Sequence, residues 1–130
     1  MTDLPAKLFN TCPYVNYLGI DLIEAQGGCA LLSLTFDQRL THPYGQLHGG
    51  VTASLVDASV ACALLTLVKP EDKVGTIELK VNFLAPVTGG KITAEARVIH
   101  QGKKTAVGEV DVRNEEGMLV AKGMATYTIY

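Results

Sequence analysis

A chain of 130 residues with 48% hydrophobic residues, 18% charged residues and a net charge of −2 is sized for one domain spanning 1–130, with a core that needs no disulfide or metal staple. Its basic residues are scattered, the longest run being Lys103-Lys104, and it has no Trp, so it offers no basic, aromatic stripe to a nucleic-acid backbone. Cys12, Cys29 and Cys62 are odd in number and far apart, without CxxC or Cys/His metal spacing, and read as small apolar fillers in the reducing cytoplasm.

Residues 1–14 read as an irregular or short helical lead-in broken by Pro5 and Pro13. Met1 to Lys7 has no apolar run and so is no signal peptide. Val15 to Glu24 suggests a strand weakened by Gly19. Gly27-Gly28 is a turn signal, and Cys29 to Phe36 reads as the partner strand. A polar loop, Asp37 to Leu47, leads into His48-Gly49-Gly50. Val51 to Val68 is apolar on nearly every side and rich in Ala and Leu, which predicts a buried helix, stopped by Lys69-Pro70. The segment has about the length of a membrane span, but Thr52, Ser54, Ser59, Thr66 and above all the charged Asp57 argue against one.

From Thr76 the period changes to two. Ile77, Leu79, Val81 and Phe83 point one way, and Thr76, Glu78, Lys80 and Asn82 the other. Pro86 and Gly89-Gly90 mark a turn. Lys91 to His100 alternates again, with Ile92, Ala94, Ala96 and Val98 on one face. Thr105 to Arg113 and Met118 to Ile129 follow. These last four strands are predicted to form an antiparallel meander with short turns. Two strands, a long buried helix and four more strands require a sheet curved around the helix. That is an α+β architecture, the hotdog fold.

Chemistry concentrates in Gly45 to Asp57. Two glycines sit where a loop feeds a helix. Backbone N–H groups there can approach a ligand closely, lack intrahelical partners and carry a partial positive charge. Such a site can polarise a thioester carbonyl and hold the oxyanion that develops on attack. The plain alternative is that Gly49-Gly50 only permits a tight turn. Asp57 is the one charged residue between Val51 and Val68, beyond the reach of ordinary capping. It is either a paired surface carboxylate or a functional one that activates water or attacks a carbonyl itself. Ser54 and Ser59 lack a G-x-S-x-G setting, and His42, His48 and His100 have no metal spacing.

His48-Gly49-Gly50 followed by Ser54-Leu55-Val56-Asp57 resembles the signature of the PaaI-type hotdog thioesterases. The similarity extends from about residue 15 to the end and takes in Gly75 to Pro86 and Gln101-Gly102-Lys103. The resemblance implies an acyl-CoA thioesterase with no metal and no organic cofactor, CoA being part of the substrate. It makes Asp57 the general base or nucleophile and Gly49 the donor to the thioester carbonyl. His48 helps to shape that site, Gly50 binds substrate beside it, and Thr76 positions the attacking water. Relatives carry Asn or Gln six residues before the motif His, where this chain has His42. Its imidazole, or nearby Gln46, would take that role. Tyr44 would contact the acyl group, and Lys103, Lys104 or Arg113 the CoA phosphates. The resemblance also implies homodimers pairing into homotetramers, with one subunit supplying the glycine loop and the other the carboxylate. The rival readings are a hotdog module that binds acyl-CoA without turnover and a hotdog hydratase or dehydratase.

Overall fold

The computed structural model describes residues 3–130; the first two residues of the lead-in, Met1 and Thr2, lie outside them. The lead-in forms two short helices, α1 (Leu4–Asn10) and α2 (Pro13–Leu18). Its prolines start these helices instead of breaking them, because the first helical turn needs no N–H from them. Gly19 closes α2 in the left-handed conformation, φ 76°, which glycine adopts without a Cβ penalty. The strand expected from Val15 therefore begins only at Ile20. The order continues as β1 (Ile20–Gln26), β2 (Cys29–Thr35), a 3-10 turn (Gln38–Leu40), α3 (Gly49–Leu65), β3 (Val74–Phe83), β4 (Lys91–Gln101), β5 (Thr105–Arg113) and β6 (Leu119–Ile129).

The six strands form one antiparallel sheet in the order β1-β2-β4-β5-β6-β3. Only β4, β5 and β6 form the expected meander; β3 lies at the far edge, paired with β6. The segment after β3 reads as a hairpin turn, yet its backbone bonds go elsewhere. Leu84 and Ala85 N–H groups donate to Val120 O, Val87 O accepts from Leu47, and Gly90 O accepts from Phe36. The segment is thus a crossover along the end of the sheet.

The sheet curves around α3, which packs against β2 through β6. Leu55, Val56, Ala63 and Leu64 of α3 are fully buried against Leu32, Leu34, Ala94 and Val112 of the sheet. Two glycines set how deeply the helix seats. A Cβ on Gly123 would lie 2.5 Å from Val56 Cγ1, and one on Gly108 would lie 2.7 Å from Val60 Cγ1. These glycines form notches that receive two valines one helical turn apart. The helix ends at Leu65, short of Val68. Thr66 Oγ1 donates to Ala63 O and accepts from Gly28 N–H, tying the helix end to the β1–β2 turn. Among the described residues, no helix is long and apolar enough to cross a membrane.

Candidate active site

The middle and the N-terminal end of α3 carry different chemistry. Asp57 lies two turns along the helix, half-buried and facing the β3–β6 edge of the sheet. Its Oδ1 accepts a hydrogen bond from Thr76 Oγ1 at 2.8 Å and another from the Tyr127 hydroxyl at 2.6 Å. The same hydroxyl is 2.8 Å from the Asp57 carbonyl oxygen. Burial, reinforced by the bond to Asp57, holds the Tyr127 phenol well above the usual tyrosine range, so it remains a donor. Among the described residues no hydrogen bond ends on Oδ2. The carboxylate is therefore anchored through one oxygen and open at the other.

Thr76 reaches Asp57 because of a bulge. Simple alternation put it on the face opposite Val81. In the structure Thr76 pairs with Tyr127 and Glu78 with Thr126, leaving Ile77 as an extra residue. The bulge reverses the phase of the strand, so Thr76 and Val81 both turn toward α3, while Ile77 is exposed. Tyr127 is a residue that the sequence reading missed. A signal was present: Ala121, Gly123, Ala125 and Tyr127 alternate onto one face of β6, three tiny residues and then one large residue with a polar tip. A buried tyrosine hydroxyl calls for a partner.

At the N-terminal end, His48 is the N-cap of α3, and its Nδ1 accepts from Gly50 N–H at 2.8 Å. The N–H of Gly50, expected at the substrate, is thus engaged by the cap. Gly49 N–H has no acceptor among the described residues and stands in the first turn of the helix, at the positive end of its dipole. A Cβ there would come 3.2 Å from the Phe83 ring. Gly49 opens onto a cavity of about 430 Å³, lined by His42, Gln46, Thr52, Phe83 and Leu84 among others. His42 sits in a tight turn. Its Nδ1 accepts from Tyr44 N–H at 3.1 Å, and its carbonyl accepts from Gly45 N–H. This leaves Nε2 as the ring nitrogen free to donate into the cavity. Tyr44 packs edge-on against His42, is 89% exposed and is not part of the cavity wall.

Asp57 and Thr76 thus form one group, and Gly49, His42 and Gln46 another. Eight residues separate Gly49 from Asp57, which is about 12 Å along a helix rising 1.5 Å per residue. One thioester carbonyl cannot meet both in a single chain. The basic candidates also divide. Lys103 and Lys104 lie at the β4–β5 turn, at the end of the sheet where Thr105 pairs with Thr128 beside Tyr127. Arg113 lies at the opposite end of β5, roughly 30 Å away at about 3.3 Å per residue. There it bonds Gly117 O at 3.1 Å and faces Asp111. A second cavity, about 450 Å³, lies on the other face of the sheet among Glu24, Arg97, Glu109 and Lys122, and none of the predicted site residues lines it.

Residues 44–121 match the model of the Thioesterase superfamily. The chain is 32% identical over 132 aligned positions to the medium/long-chain acyl-CoA thioesterase YigI of Escherichia coli, covering 90% of this chain and 85% of that one. It is 30% identical over 112 positions to the 1,4-dihydroxy-2-naphthoyl-CoA hydrolase of Listeria monocytogenes, covering 86% and 91%. The solved structure of a conserved protein from Pseudomonas aeruginosa superposes with a TM-score of 0.91 at 30% identity, covering 97% of this chain and 100% of that one.

Proposed function

Because the chain belongs to the thioesterase superfamily and is a thioester hydrolase, we propose that it cleaves acyl-CoA thioesters at a composite site, with Gly49 from one subunit and Asp57 from another. The carrying observation is the separation of two complementary halves on one rigid helix: a free N–H at one end and a free carboxylate oxygen about 12 Å away. A two-fold dimer brings the first half of each subunit to the second half of its partner and makes two sites.

In this reading the carbonyl oxygen of the thioester accepts from Gly49 N–H, with His42 Nε2–H beside it. The positive end of α3 stabilises the charge that grows there during attack. Asp57 Oδ2 takes a proton from water as the water attacks the carbonyl, or attacks the carbonyl itself, and Thr76 orients the water. The C–S bond breaks and CoA leaves as the thiolate; the free acid forms directly when water attacks, or by hydrolysis of the acyl–Asp57 anhydride when Asp57 does. No metal and no cofactor beyond the CoA of the substrate is called for. The acyl group lies against the apolar wall near Phe83 and Leu84, and Lys103 and Lys104, at Asp57's end of the sheet, are better placed than Arg113 for phosphates that approach Asp57. The unpaired edge of β3, with Ile77, Leu79, Phe83 and Leu84 exposed, supports a second copy at this edge. Dimers then pair into tetramers. The three free cysteines accord with a cytoplasmic location.

The test is to incubate the pure protein with aromatic, medium-chain and long-chain acyl-CoAs and to follow the free CoA thiol with a thiol-reactive dye, alongside light scattering. Turnover of at least one class by an oligomer is the expected result. An active, persistent monomer of 13.9 kDa overturns the composite site, and no thiol release from any class overturns the substrate assignment.

A further inference from the structure

We propose that Tyr127 is a positioning residue for hydrolysis, fixing which oxygen of Asp57 meets the substrate. This rests on the assignment of Asp57 as the reacting carboxylate. The argument begins with strand geometry. Tyr127 is the last buried residue on the inner face of β6 and stands directly opposite Thr76 on β3. The bulge at Ile77 turns Thr76 inward, so the two hydroxyls converge on the same atom, Asp57 Oδ1, at 2.6 and 2.8 Å. Thr76 is exposed, whereas Tyr127 is 4% exposed and locked by the sheet. The tyrosine is thus the rigid member of the pair. Its hydroxyl also lies 2.8 Å from the Asp57 carbonyl, so it grips both the side chain and the backbone of the same residue.

The phenol cannot serve as a base. Burial and the adjacent carboxylate keep its proton on through the working range. What it can do is hold Oδ1 and leave Oδ2 without a hydrogen bond from any described residue. The groups that face this cluster are few. From α3 come Asp57 and Cys62, from β3 Thr76, and from β5 the apolar Ala106 opposite Tyr127. Burial pushes the Cys62 thiol up to about 12, so it stays neutral and adds no competing titration at ordinary pH.

The experiment is Tyr127→Phe, which removes the oxygen and keeps the ring, assayed with whichever acyl-CoA the wild type turns over, next to Asp57→Asn. We expect kcat to fall about 10²-fold, the scale of a misplaced reacting group, with KM nearly unchanged. A merely structural role lowers the melting temperature and leaves kcat of the folded protein at the wild-type value. If Tyr127→Phe fails to fold, site-specific replacement of Tyr127 by a fluorotyrosine, which keeps the hydroxyl, and by 4-fluorophenylalanine, which replaces it, gives the same comparison: the first should keep kcat and the second lose it. Wild-type kcat without the hydroxyl, in a protein where Asp57→Asn is inactive, overturns the role of Tyr127 alone. An active Asp57→Asn variant overturns the assignment of Asp57 on which it rests.

Discussion

The surroundings of Asp57, at the middle of α3, and the glycine end of the same helix are built on opposite principles. Around Asp57 the fold supplies partners: Thr76 from β3, Tyr127 from β6, and a helix seated by Val56 in the notch at Gly123. Around Gly49 the fold withholds them. The His48 cap satisfies Gly50, while Gly49 N–H faces a cavity with no acceptor among the described residues. One region fixes a charge, and the other leaves a donor unsatisfied. The difference shows how a short chain can hold a carboxylate and a free donor on one helix without the two neutralising each other. A carboxylate within reach of Gly49 N–H would bond to it and close the site.

The comparison breaks most sharply at the carboxylate. Asp57→Asn should fold as the wild type does and lose about 10²–10⁴-fold in kcat/KM, the range for removal of a general base. Near-wild-type rates would remove Asp57 from the mechanism. At the glycine end, Gly49→Pro deletes only the N–H, since proline suits the first helical position, although its ring must displace Phe83 slightly. We expect a loss of about 10²–10³-fold in kcat, the scale of one oxyanion donor. The two variants together sharpen the comparison. Subunits of Asp57→Asn and Gly49→Pro, coexpressed, should recover about a quarter of wild-type activity, because half of random dimers are mixed and each mixed dimer holds one intact composite site. Recovery no greater than the sum of the two single variants would mean that both halves act within one chain.

The seating of α3 is the next most sensitive feature. Gly123→Ala places a methyl against Val56 and should cost about 1–3 kcal/mol by overpacking, read as a lowered midpoint in urea. An unchanged midpoint would show that the notch is not tight. The smallest effect is expected at His42. Asparagine can accept from Tyr44 N–H in the same turn and present a donor, so His42→Asn should retain most activity. His42→Ala should lose about tenfold, close to one hydrogen bond. Equal kcat/KM for the alanine variant and the wild type would make His42 a bystander and point to Gln46.

Local signals in the sequence located the helix, the glycine loop and Asp57, because each depends on residues close in the chain. A run of apolar residues that covers every side of a helix specifies burial, and one aspartate within it stands out. What the sequence concealed depends on pairing across distance. The bulge at Ile77 left the alternation of β3 looking regular while moving Thr76 to the other face. Pro86 and Gly89-Gly90 look like a hairpin turn in isolation, yet Leu84 and Ala85 bond to Val120, Val87 to Leu47 and Gly90 to Phe36, and β3 moves to the far edge. Val15 to Leu18 fits a strand as well as a helix until Gly19 is seen in the left-handed conformation. Gly50 lost its expected role through a local feature, the return of the His48 side chain onto the backbone two residues on.

The far-edge position of β3 also matters while the chain is being made. β3 is complete at Phe83, but its partner β6 ends at Ile129, 46 residues later. At about 5–20 residues per second, synthesis takes about 2–9 s to supply it. For that interval β1, β2 and α3 can assemble, but Ile77, Leu79 and Phe83 have no neighbouring strand. The nascent chain therefore passes through a stage in which β3 lacks its hydrogen-bonding neighbour, and β6, when it emerges, both pairs with β3 and delivers Tyr127 to Asp57.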